Sequence, residues 1–252
     1  MFQVVGLREK QKALRQSRIL DAARRLIRRT GEAGLSMRAL AQEAEVSLTT
    51  PYSLFGSKSA VLHALLIAPM DDLERALETP TSADPLDRIF EVGERTATAC
   101  VEDASFYRPL FLALLGTQAS SDGHRLVVIG RYLAIWRRFI EDAKRARLLS
   151  AETNVDFLAY HLLTSFTGIQ NAWLMHELDA DEFRDLAVYS IGVTLLGVAT
   201  EAARPKLLKR FRRVQRALPP KISGWFDSGK HHHRGPSLNG YGRAERPEEL
   251  RA

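Results

Sequence analysis

Apolar residues recur at helical spacing along most of this 252-residue chain, with little of the alternation that is typical of strands. Ile19, Ala22, Ala23 and Leu26 form one such stripe, which ends near Gly31. Residues three and four apart share one face of an α-helix, so each stripe predicts an amphipathic helix. The pattern therefore predicts an all-α protein.

A short helix and a tight turn are predicted after Leu35. Ser36 can cap this helix, because its hydroxyl can accept a hydrogen bond from a free N–H of the first turn. Met37 and Leu40 lie on its apolar face, and Val46 is an apolar plug in the turn that follows.

A second short helix follows, with polar residues on its outer face. Tyr52 and Phe55 are three residues apart and give it a packing side, Gly56 can end it, and Ser57 can cap a third helix. Such a pair of helices has one dominant use, which is to place a short helix in the major groove of DNA. An ordinary αα-hairpin is the alternative.

These residues resemble the N-terminal domain of TetR-family transcriptional regulators over about residues 16–66. The matching elements are Ile19 to Ala23 with Gly31 and Gly34, Ser36 to Ala41, Val46-Ser47, Tyr52, Phe55 and Ser57-Lys58. The resemblance implies a three-helix DNA-binding domain followed by a larger helical domain. It also implies a homodimeric, sequence-specific regulator, a repressor released from a palindromic operator in double-stranded DNA by a small molecule.

The resemblance also implies which residues would contact DNA. Bases or nearby phosphates would be contacted by Ser47, Leu48, Thr49, Thr50 and Ser53. Phosphates would be held by Tyr52 and Lys58, and by the N-terminal end of the first short helix at Ser36 and Arg38.

Two positions depart from the family pattern. Glu45 stands at a turn position where the family usually has glycine, and a left-handed backbone there costs a non-glycine residue about 1–2 kcal/mol. Pro51 lies within the second short helix. If Ser47 caps that helix, Pro51 removes a hydrogen bond to the Ser47 carbonyl. If the helix instead starts with Thr50 as its N-cap, Pro51 is its first helical residue, where proline is favoured.

Charge divides the chain into three predicted regions. Residues 1–66 hold 11 Lys/Arg and 5 Asp/Glu, residues 205–252 hold 12 and 4, and the totals of 36 and 30 leave 13 and 21 for residues 67–204. The net charges in that order are +6, +8 and −8, so both ends suit phosphates and the middle does not.

We predict a DNA-binding domain with a basic arm over 1–66, a ligand-binding and dimerisation domain over 67–204, and a basic, partly disordered tail over 205–252. The cations of the arm are Arg8, Lys10, Lys12, Arg15 and Arg18.

The middle region continues the helical pattern. Asp84-Pro85 reads as an N-cap followed by proline at the first helical position, and a polar turn is expected after Pro69. Further helices are predicted over 105–115, 125–146, 153–176 and 181–203. Lys206 to Leu218 has the pattern of a basic amphipathic helix, for which DNA contact, subunit packing and lipid binding are open roles.

Small residues among apolar ones mark the last two helices of the middle region. Helices that are apolar on more than one face must be buried on several sides. A twofold four-helix interface between subunits, which the resemblance also implies, explains this pattern; a large monomeric core is the alternative. The interface candidates are Thr164, Gly168, Ala172, Gly192, Leu196 and Ala199.

The resemblance implies a ligand site among the other helices of this domain. The abundance of aromatic residues suggests an apolar or aromatic effector, although such residues more often belong to a core. The candidates are Phe106, Tyr107, Phe111, Trp136, Phe139, Phe166, Gln170 and Trp173, with His161, Asn171 and His176 as further polar options.

Several other functions lack support in the sequence. A single cysteine, Cys100, excludes an intrachain disulfide and is expected to be buried. There is no phosphate loop, HExxH motif or nucleophile elbow, so we expect no enzyme activity, cofactor or metal, and His231 to His233 is interpreted as solvated tail.

The longest uncharged run has 15 residues, fewer than the ~20 of a membrane helix, and the N-terminus lacks a signal-peptide core. We therefore expect a cytoplasmic protein without membrane contact.

Two rival functions stay open. One is an all-α enzyme or small-molecule carrier with a non-functional DNA-binding head, which predicts ligand binding without any DNA sequence preference. The other is an architectural DNA coat driven by the two basic ends, which predicts similar affinity for cognate and random DNA.

Overall fold

The computed structural model describes residues 2–31, 33–79, 81–116 and 123–217, with side chains over 9–31, 33–79, 81–115 and 126–216. Eleven α-helices and no β-strand occur within these ranges, which confirms the all-α class. The helices are α1 (Phe2–Thr30), α2 (Met37–Glu43), α3 (Thr49–Phe55), α4 (Lys58–Ala64), α5 (Ile67–Glu78), α6 (Pro85–Glu102), α7 (Ala104–Gly116), α8 (Gly123–Arg145), α9 (Val155–Leu174), α10 (Ala180–Val198) and α11 (Arg204–Ala217).

Three of the predicted helix caps are confirmed. Ser36 Oγ accepts a hydrogen bond from the Ala39 N–H at 3.1 Å, and Ser57 Oγ accepts one from the Ala60 N–H at 3.1 Å. Asp84 Oδ1 accepts from the Leu86 N–H at 2.8 Å. Each side chain satisfies a donor that the first helical turn leaves unpaired, so these residues fix where α2, α4 and α6 begin.

A shared core joins the N-terminal helices to the rest of the chain. One cluster of buried residues runs from Ile19 in α1 and Leu40 in α2 through Leu62 in α4 to Leu110 in α7 and Val128 in α8. A second cluster lies among α6, α8, α9, α10 and α11. The described residues belong to one compact unit, Met1–Leu218, and the predicted domain boundary at residue 66 stays a prediction.

Two predicted boundaries in the middle region are wrong. The helix predicted over 181–203 ends at Val198, because Ala199 is extended and forms an isolated antiparallel bridge with Leu149. The polar turn expected after Pro69 is absent, because α5 runs from Ile67 to Glu78. Pro69 lies in the first turn of α5, where its missing N–H has no intrahelical partner to lose.

The predicted basic amphipathic helix is α11, over Arg204–Ala217. Leu207, on its inner face, is 1% exposed and belongs to the second core cluster. Residues 218–252, which include His231 to His233, lie outside the described residues.

In the described ranges no single helix is long and apolar enough to span a membrane. One bent pair, Thr49–Phe55 with Lys58–Glu78, meets the length and composition test together.

Candidate nucleic-acid interface and effector cavity

The start of α3 lies between the two starts that the sequence allowed. Leu48 occupies the N-cap position without a side-chain cap, and the Thr50 N–H donates to the Ser47 carbonyl at 3.0 Å. Pro51 is therefore the third helical residue, within the first turn, where its missing N–H costs no intrahelical bond. Ser47 as a cap is wrong, because its hydroxyl bonds instead to the hydroxyls of Thr49 at 3.0 Å and Thr50 at 2.8 Å.

The outer edge of α3 faces solvent, as the sequence predicted. Leu48 is 46% exposed, and Ser47, Thr49 and Ser53 are exposed as well. The packing side predicted from Tyr52 and Phe55 is wrong for Tyr52, which is 52% exposed, because Pro51, Leu54 and Phe55 occupy the inner side of the helix. Thr50 is half-buried. We call the exposed set Ser47, Leu48, Thr49, Tyr52 and Ser53 the reading edge.

The inner side of α3 is anchored. Pro51 is buried, and Leu54 and Phe55 pack against the core cluster that α1, α2 and α4 share. A hydrophobic anchor on one side and hydroxyls on the other is the arrangement that a groove-reading helix requires.

The remaining predicted DNA contacts flank α3. Arg38 on α2 and Ser36 are exposed, although the Ser36 hydroxyl is used in capping α2. Lys58 is the first residue of α4 and is half-buried.

The carboxylates at the turn between α2 and α3 are paired with arginines of α1. Glu45 has the left-handed backbone that the sequence predicted, with φ of 51°, and its carboxylate accepts from Arg18 Nη2 at 3.1 Å. Glu43 accepts from Arg29 Nη2 at 2.7 Å and from Arg25 Nε at 3.0 Å. Hydrogen bonds from Arg29 and Arg25 lower the pKa of Glu43. The pairing offsets the negative charge that would otherwise repel phosphates beside the reading edge.

The basic arm belongs to α1. Lys10, Lys12 and Arg15 are exposed, and none has a carboxylate partner among the described side chains, whereas Arg18 pairs with Glu45. The Arg8 side chain lies outside the described ones.

A cavity of about 760 Å³ opens among α4, α7, α8 and α9. Four of the predicted pocket residues line it, namely Phe111, Trp136, Phe166 and Gln170, and Asn171 does so too. The lining also contains residues that the sequence analysis missed, among them Ser59, His63, Tyr132, Tyr160, Leu163 and Thr167. Ser59 and His63 belong to α4, so the helix that follows the reading edge forms part of the cavity wall.

The described lining of this cavity contains no Asp, Glu, Lys or Arg. Its polar groups are hydroxyls, the Gln170 and Asn171 amides, and the His63 ring, whose Nδ1 lies 2.9 Å from the Ser59 carbonyl. Burial raises the pKa of Tyr132, so its phenol stays protonated at neutral pH. A mostly apolar wall with a few neutral hydrogen-bonding groups suits a neutral, largely apolar small molecule.

A second hollow, of about 790 Å³, lies among α1, α5, α6 and α7. The predicted pocket residues Phe106 and Tyr107 line this hollow, and Phe111 borders both cavities. Cys100 also borders it and is buried as predicted; burial raises the pKa of its thiol to about 12, and a hydrogen bond from Gln170 acts against this.

Two aromatic candidates line neither cavity. Trp173 is 1% exposed and stacks on Phe183, with ring centroids 5.1 Å apart. Phe139 lies under the guanidinium of Arg88, which is 4.5 Å from its ring centroid. Both are core residues, which is the ordinary place of an aromatic side chain at helical spacing. Of the polar options, His161 is exposed on α9, and His176 lies beyond the end of that helix and bonds to Arg108.

Some of the predicted interface residues are accessible at the surface, and others are used within the subunit. Thr164 and Gly168 are exposed on α9, and Ala172 and Leu196 are half-buried. Gly192 is buried within its own subunit, where a Cβ would lie 3.8 Å from Phe90 and from Phe211. Ala199 takes part in the bridge with Leu149.

Apolar residues missed by the sequence analysis extend the exposed group. Phe157 is 77% exposed and Tyr160 is 58% exposed on α9, and Val193 is 47% exposed on α10. Phe157, Tyr160, Thr164 and Gly168 recur at helical spacing on one side of α9, and we call this set, together with Val193 of α10, the α9–α10 face. Tyr160, Thr164 and Gly168 also line the 760 Å³ cavity.

Within the described residues no group of three His, Cys, Asp or Glu side chains is arranged to hold a metal ion.

Comparison with known proteins matches the N-terminal helices to a regulatory family. Residues 19–65 fit the family described as bacterial regulatory proteins, tetR family. The HTH-type transcriptional repressor KstR of Rhodococcus jostii (strain RHA1) is 28% identical over 107 residues, which make up 42% of this chain and 50% of KstR. The chain thus matches about half the length of that curated relative.

Solved structures share the fold over most of the chain. A TetR transcriptional regulator from Rhodococcus sp. RHA1 has a TM-score of 0.60 at 16% identity, with 76% of this chain and 100% of that chain covered. SmeT, the repressor of the Stenotrophomonas maltophilia multidrug efflux pump SmeDEF, has a TM-score of 0.57 at 20% identity, with 75% and 92% covered.

An exposed α3 whose other side is anchored on α1, α2 and α4 is the arrangement of a helix-turn-helix segment. Residues 19–65, which contain α2, α3 and α4, are thus similar to the tetR family of bacterial regulatory proteins.

Proposed function

We propose that the chain is a homodimeric transcriptional repressor that binds a palindromic operator and leaves it when a small molecule occupies the 760 Å³ cavity. The single observation that carries the proposal is the geometry of α3. Its reading edge is exposed while Pro51 is buried and Leu54 and Phe55 pack on the core. Hydroxyl and amphipathic side chains on a rigidly anchored helix can hydrogen-bond base edges and contact thymine methyl groups in the major groove.

In this proposal the flanking groups supply affinity and the reading edge supplies specificity. Tyr52, Lys58 and Arg38 contact phosphates, with Lys10, Lys12 and Arg15 of α1 adding attraction that depends on salt. Four residues of the reading edge, Ser47, Leu48, Thr49 and Ser53, face the bases together with the half-buried Thr50, whereas Tyr52 is the member of the reading edge that contacts phosphate.

The α9–α10 face supports the homodimer. Phe157, Tyr160 and Val193 leave a large apolar area exposed beside the small residues Thr164 and Gly168. Small residues allow close approach of helices, and a twofold pairing of this face would bury the exposed aromatic rings in a four-helix interface. Two reading edges about a twofold axis could then meet half-sites about 34 Å or more apart on one side of the duplex.

Ligand response would pass through α4. This helix follows α3 after Gly56 and Ser57, and it contributes Ser59 and His63 to the cavity wall. A ligand that fits better when α4 is displaced would favour the spacing of reading edges that does not match the operator. The ligand must prefer that state, since equal affinity for both would shift nothing. The uncharged lining favours a neutral, apolar or aromatic effector that hydrogen-bonds to Gln170, Asn171 or the cavity hydroxyls.

Selection from random duplexes with the purified full chain tests the proposal. The expected result is a palindromic consensus. Enrichment of no sequence, with steep salt dependence for every duplex, would favour an architectural coat. Tight ligand binding or turnover without DNA preference would favour a carrier or enzyme instead. A regulator's cytoplasmic location is part of the same proposal.

A further inference from the structure

The helix α11 is docked on the body by its inner face. Lys206 Nζ lies 2.5 Å from Asp84 Oδ2 and 2.7 Å from Asp87 Oδ2. Arg210 bonds to Asp87 at 3.1 Å and also to Glu94. These ion pairs hold α11 against the first half of α6. Both helices contribute buried residues to the second core cluster.

Apolar packing occupies the rest of that inner face. Leu207 is buried, the Phe211 ring lies 5.0 Å from the Tyr189 ring, and the Arg210 guanidinium lies 4.1 Å from the centre of the Phe90 ring. The apolar side of this amphipathic helix is therefore in contact with α6 and α10 rather than with solvent.

The outer face of α11 carries a row of cations. Lys209, Arg212, Arg213 and Arg216 are exposed, and their spacing of three and four places them on one side of the helix. None of them has a carboxylate partner among the described side chains, although residues 67–204 carry a net charge of −8. We call these four residues the outer row.

We infer that the outer row is a second DNA-binding surface, which holds the phosphate backbone of duplex DNA without reading its sequence. This inference rests on the proposed regulator function, because it adds a binding surface beyond the base pairs read by α3. Three of the four cations are arginines, whose planar fork matches phosphate oxygens in pairs. The row spans about 10 Å along the helix, within which a DNA strand presents more than one phosphate.

Charge and packing favour DNA over the other occupants. A helix that inserts into a lipid surface needs an exposed apolar face, whereas on α11 Leu207 is buried and Leu208, Phe211 and Val214 are half-buried. A twofold pairing of two outer rows would bring like charges together, which disfavours a second copy at this surface. DNA, in contrast, can bind through contacts between its phosphates and the exposed cations of the outer row alone.

The test compares two quadruple variants of the full chain. The outer-row variant combines Lys209→Gln, Arg212→Gln, Arg213→Gln and Arg216→Gln. The matched control combines Arg75→Gln, Arg137→Gln, Arg145→Gln and Arg184→Gln, which removes the same charge from three exposed arginines and one half-buried arginine that already pair with nearby carboxylates. Glutamine keeps a high helix propensity, and circular dichroism melting checks that both variants fold.

Binding is measured as a function of salt on three DNA targets: a short operator duplex, the same operator with long non-operator flanks, and a second non-operator duplex offered to the short-operator complex. For the outer-row variant we expect unchanged affinity for the short operator. On flanked DNA, or in capture of the second duplex, the slope of log affinity against log salt concentration should become less steep. We expect a decrease of about 0.9 for each phosphate that the variant no longer neutralises, or about 3.6 per protomer if all four cations contact phosphates. Weaker binding to flanked DNA indicates that the outer row holds the same duplex, and failure to capture the second duplex indicates bridging of two duplexes.

Equal behaviour of wild type, outer-row variant and control on every DNA target would overturn the inference. It would also be overturned if the outer-row variant lost only binding to phosphatidylglycerol vesicles, or only self-association in sedimentation. If wild type fails to prefer the operator at all, the proposed function fails, while the non-operator duplex still tests the outer row.

Discussion

Arg28 and Asp103 form an ion pair with two hydrogen bonds that joins α1 to the junction of α6 and α7. Arg28 Nε lies 3.3 Å from Asp103 Oδ1, and Nη2 lies 2.5 Å from Oδ2. The Arg28 guanidinium is also 5.5 Å from the centre of the Phe106 ring. The hydrogen bond to Asp103 raises the pKa of Arg28 despite partial burial. This pair connects α1, whose Arg18 bonds to Glu45 beside the reading edge, to the end of α6, and both of its residues line the second hollow.

Breaking this pair should change operator binding more than stability. For Asp103→Asn we expect a loss of at most about 1 kcal/mol in unfolding free energy, because both groups are partly exposed. Operator affinity should fall by about 3- to 10-fold, or about 0.7–1.4 kcal/mol, because the supporting helix is held less firmly. Urea unfolding and mobility shift measure the two effects. Asp72→Asn, which breaks the exposed pair with Arg75 within α5, is the control and should leave operator affinity unchanged. The same affinity loss in both variants would contradict this role.

Glycine at the turn before α3 should stabilise the protein. Glu45 has a φ of 51°, a conformation that costs a non-glycine residue about 1–2 kcal/mol. Its pair with Arg18 is exposed and contributes little, so Glu45→Gly should raise the free energy of unfolding by about 1 kcal/mol. Glu45→Ala loses the same pair but keeps the strained backbone, and should give no gain. Thermal melting of both variants measures the difference; indistinguishable melting temperatures would show that the turn is not strained.

The local features of the DNA-binding domain were predictable because their causes are local. Ser36 and Ser57 cap the helices that follow them, and Glu45 is left-handed at the turn position that the resemblance marked. The start of α3 was not predictable, because it depends on burial of Pro51 against other helices and on the pairing of the Ser47 hydroxyl with two threonines.

Features that depend on residues far apart in sequence were predicted poorly. The end of α10 at Val198 follows from a bridge between Ala199 and Leu149, which no periodicity reveals. Aromatic residues could be listed as pocket candidates, but helical spacing alone does not separate Trp136 in the cavity wall from Trp173 in the core.

Acid should weaken the docking of α11 through Asp87. Burial acts to raise the pKa of this carboxyl, but hydrogen bonds from Lys206 and Ser82 and the charges of Lys206 and Arg210 outweigh it and lower the pKa. A group with a lowered folded pKa stabilises the folded state above its unfolded pKa of about 3.9, and that stabilisation is lost as pH falls through the folded value.

The expected result is a steeper acid loss of unfolding free energy in wild type than in Asp87→Asn below about pH 4. Urea midpoints measured across that range give the slopes. Asp181→Asn, at an exposed pair with Arg184, should keep the wild-type slope. Parallel curves for wild type and Asp87→Asn would remove Asp87 from the docking of α11.

The cavity among α4, α7, α8 and α9 should prefer neutral probes. We expect N-phenyl-1-naphthylamine, which is uncharged, to bind with a fluorescence increase, and anilinonaphthalenesulfonate to bind at least about tenfold more weakly, because no cation in the described lining compensates a sulfonate. Leu163→Trp should block the cavity and abolish the neutral probe's signal. Leu14→Trp, at a residue 71% exposed on α1, is the matched control. Equal binding of both probes, or no effect of Leu163→Trp, would place the ligand site elsewhere.

The central claim is that the reading edge of α3 selects bases, and the most direct measurement is the ratio of affinities for the selected operator and a shuffled duplex. Wild type should show a ratio of at least about 10³. The double variant Thr49→Ala and Ser53→Ala should lower it about tenfold or more, because a specific hydrogen-bonded pairing with a base is worth about 1–3 kcal/mol. Lys58→Ala should weaken binding to both duplexes equally and keep the ratio. An unchanged ratio in the double variant, or a wild-type ratio near one, would contradict the account.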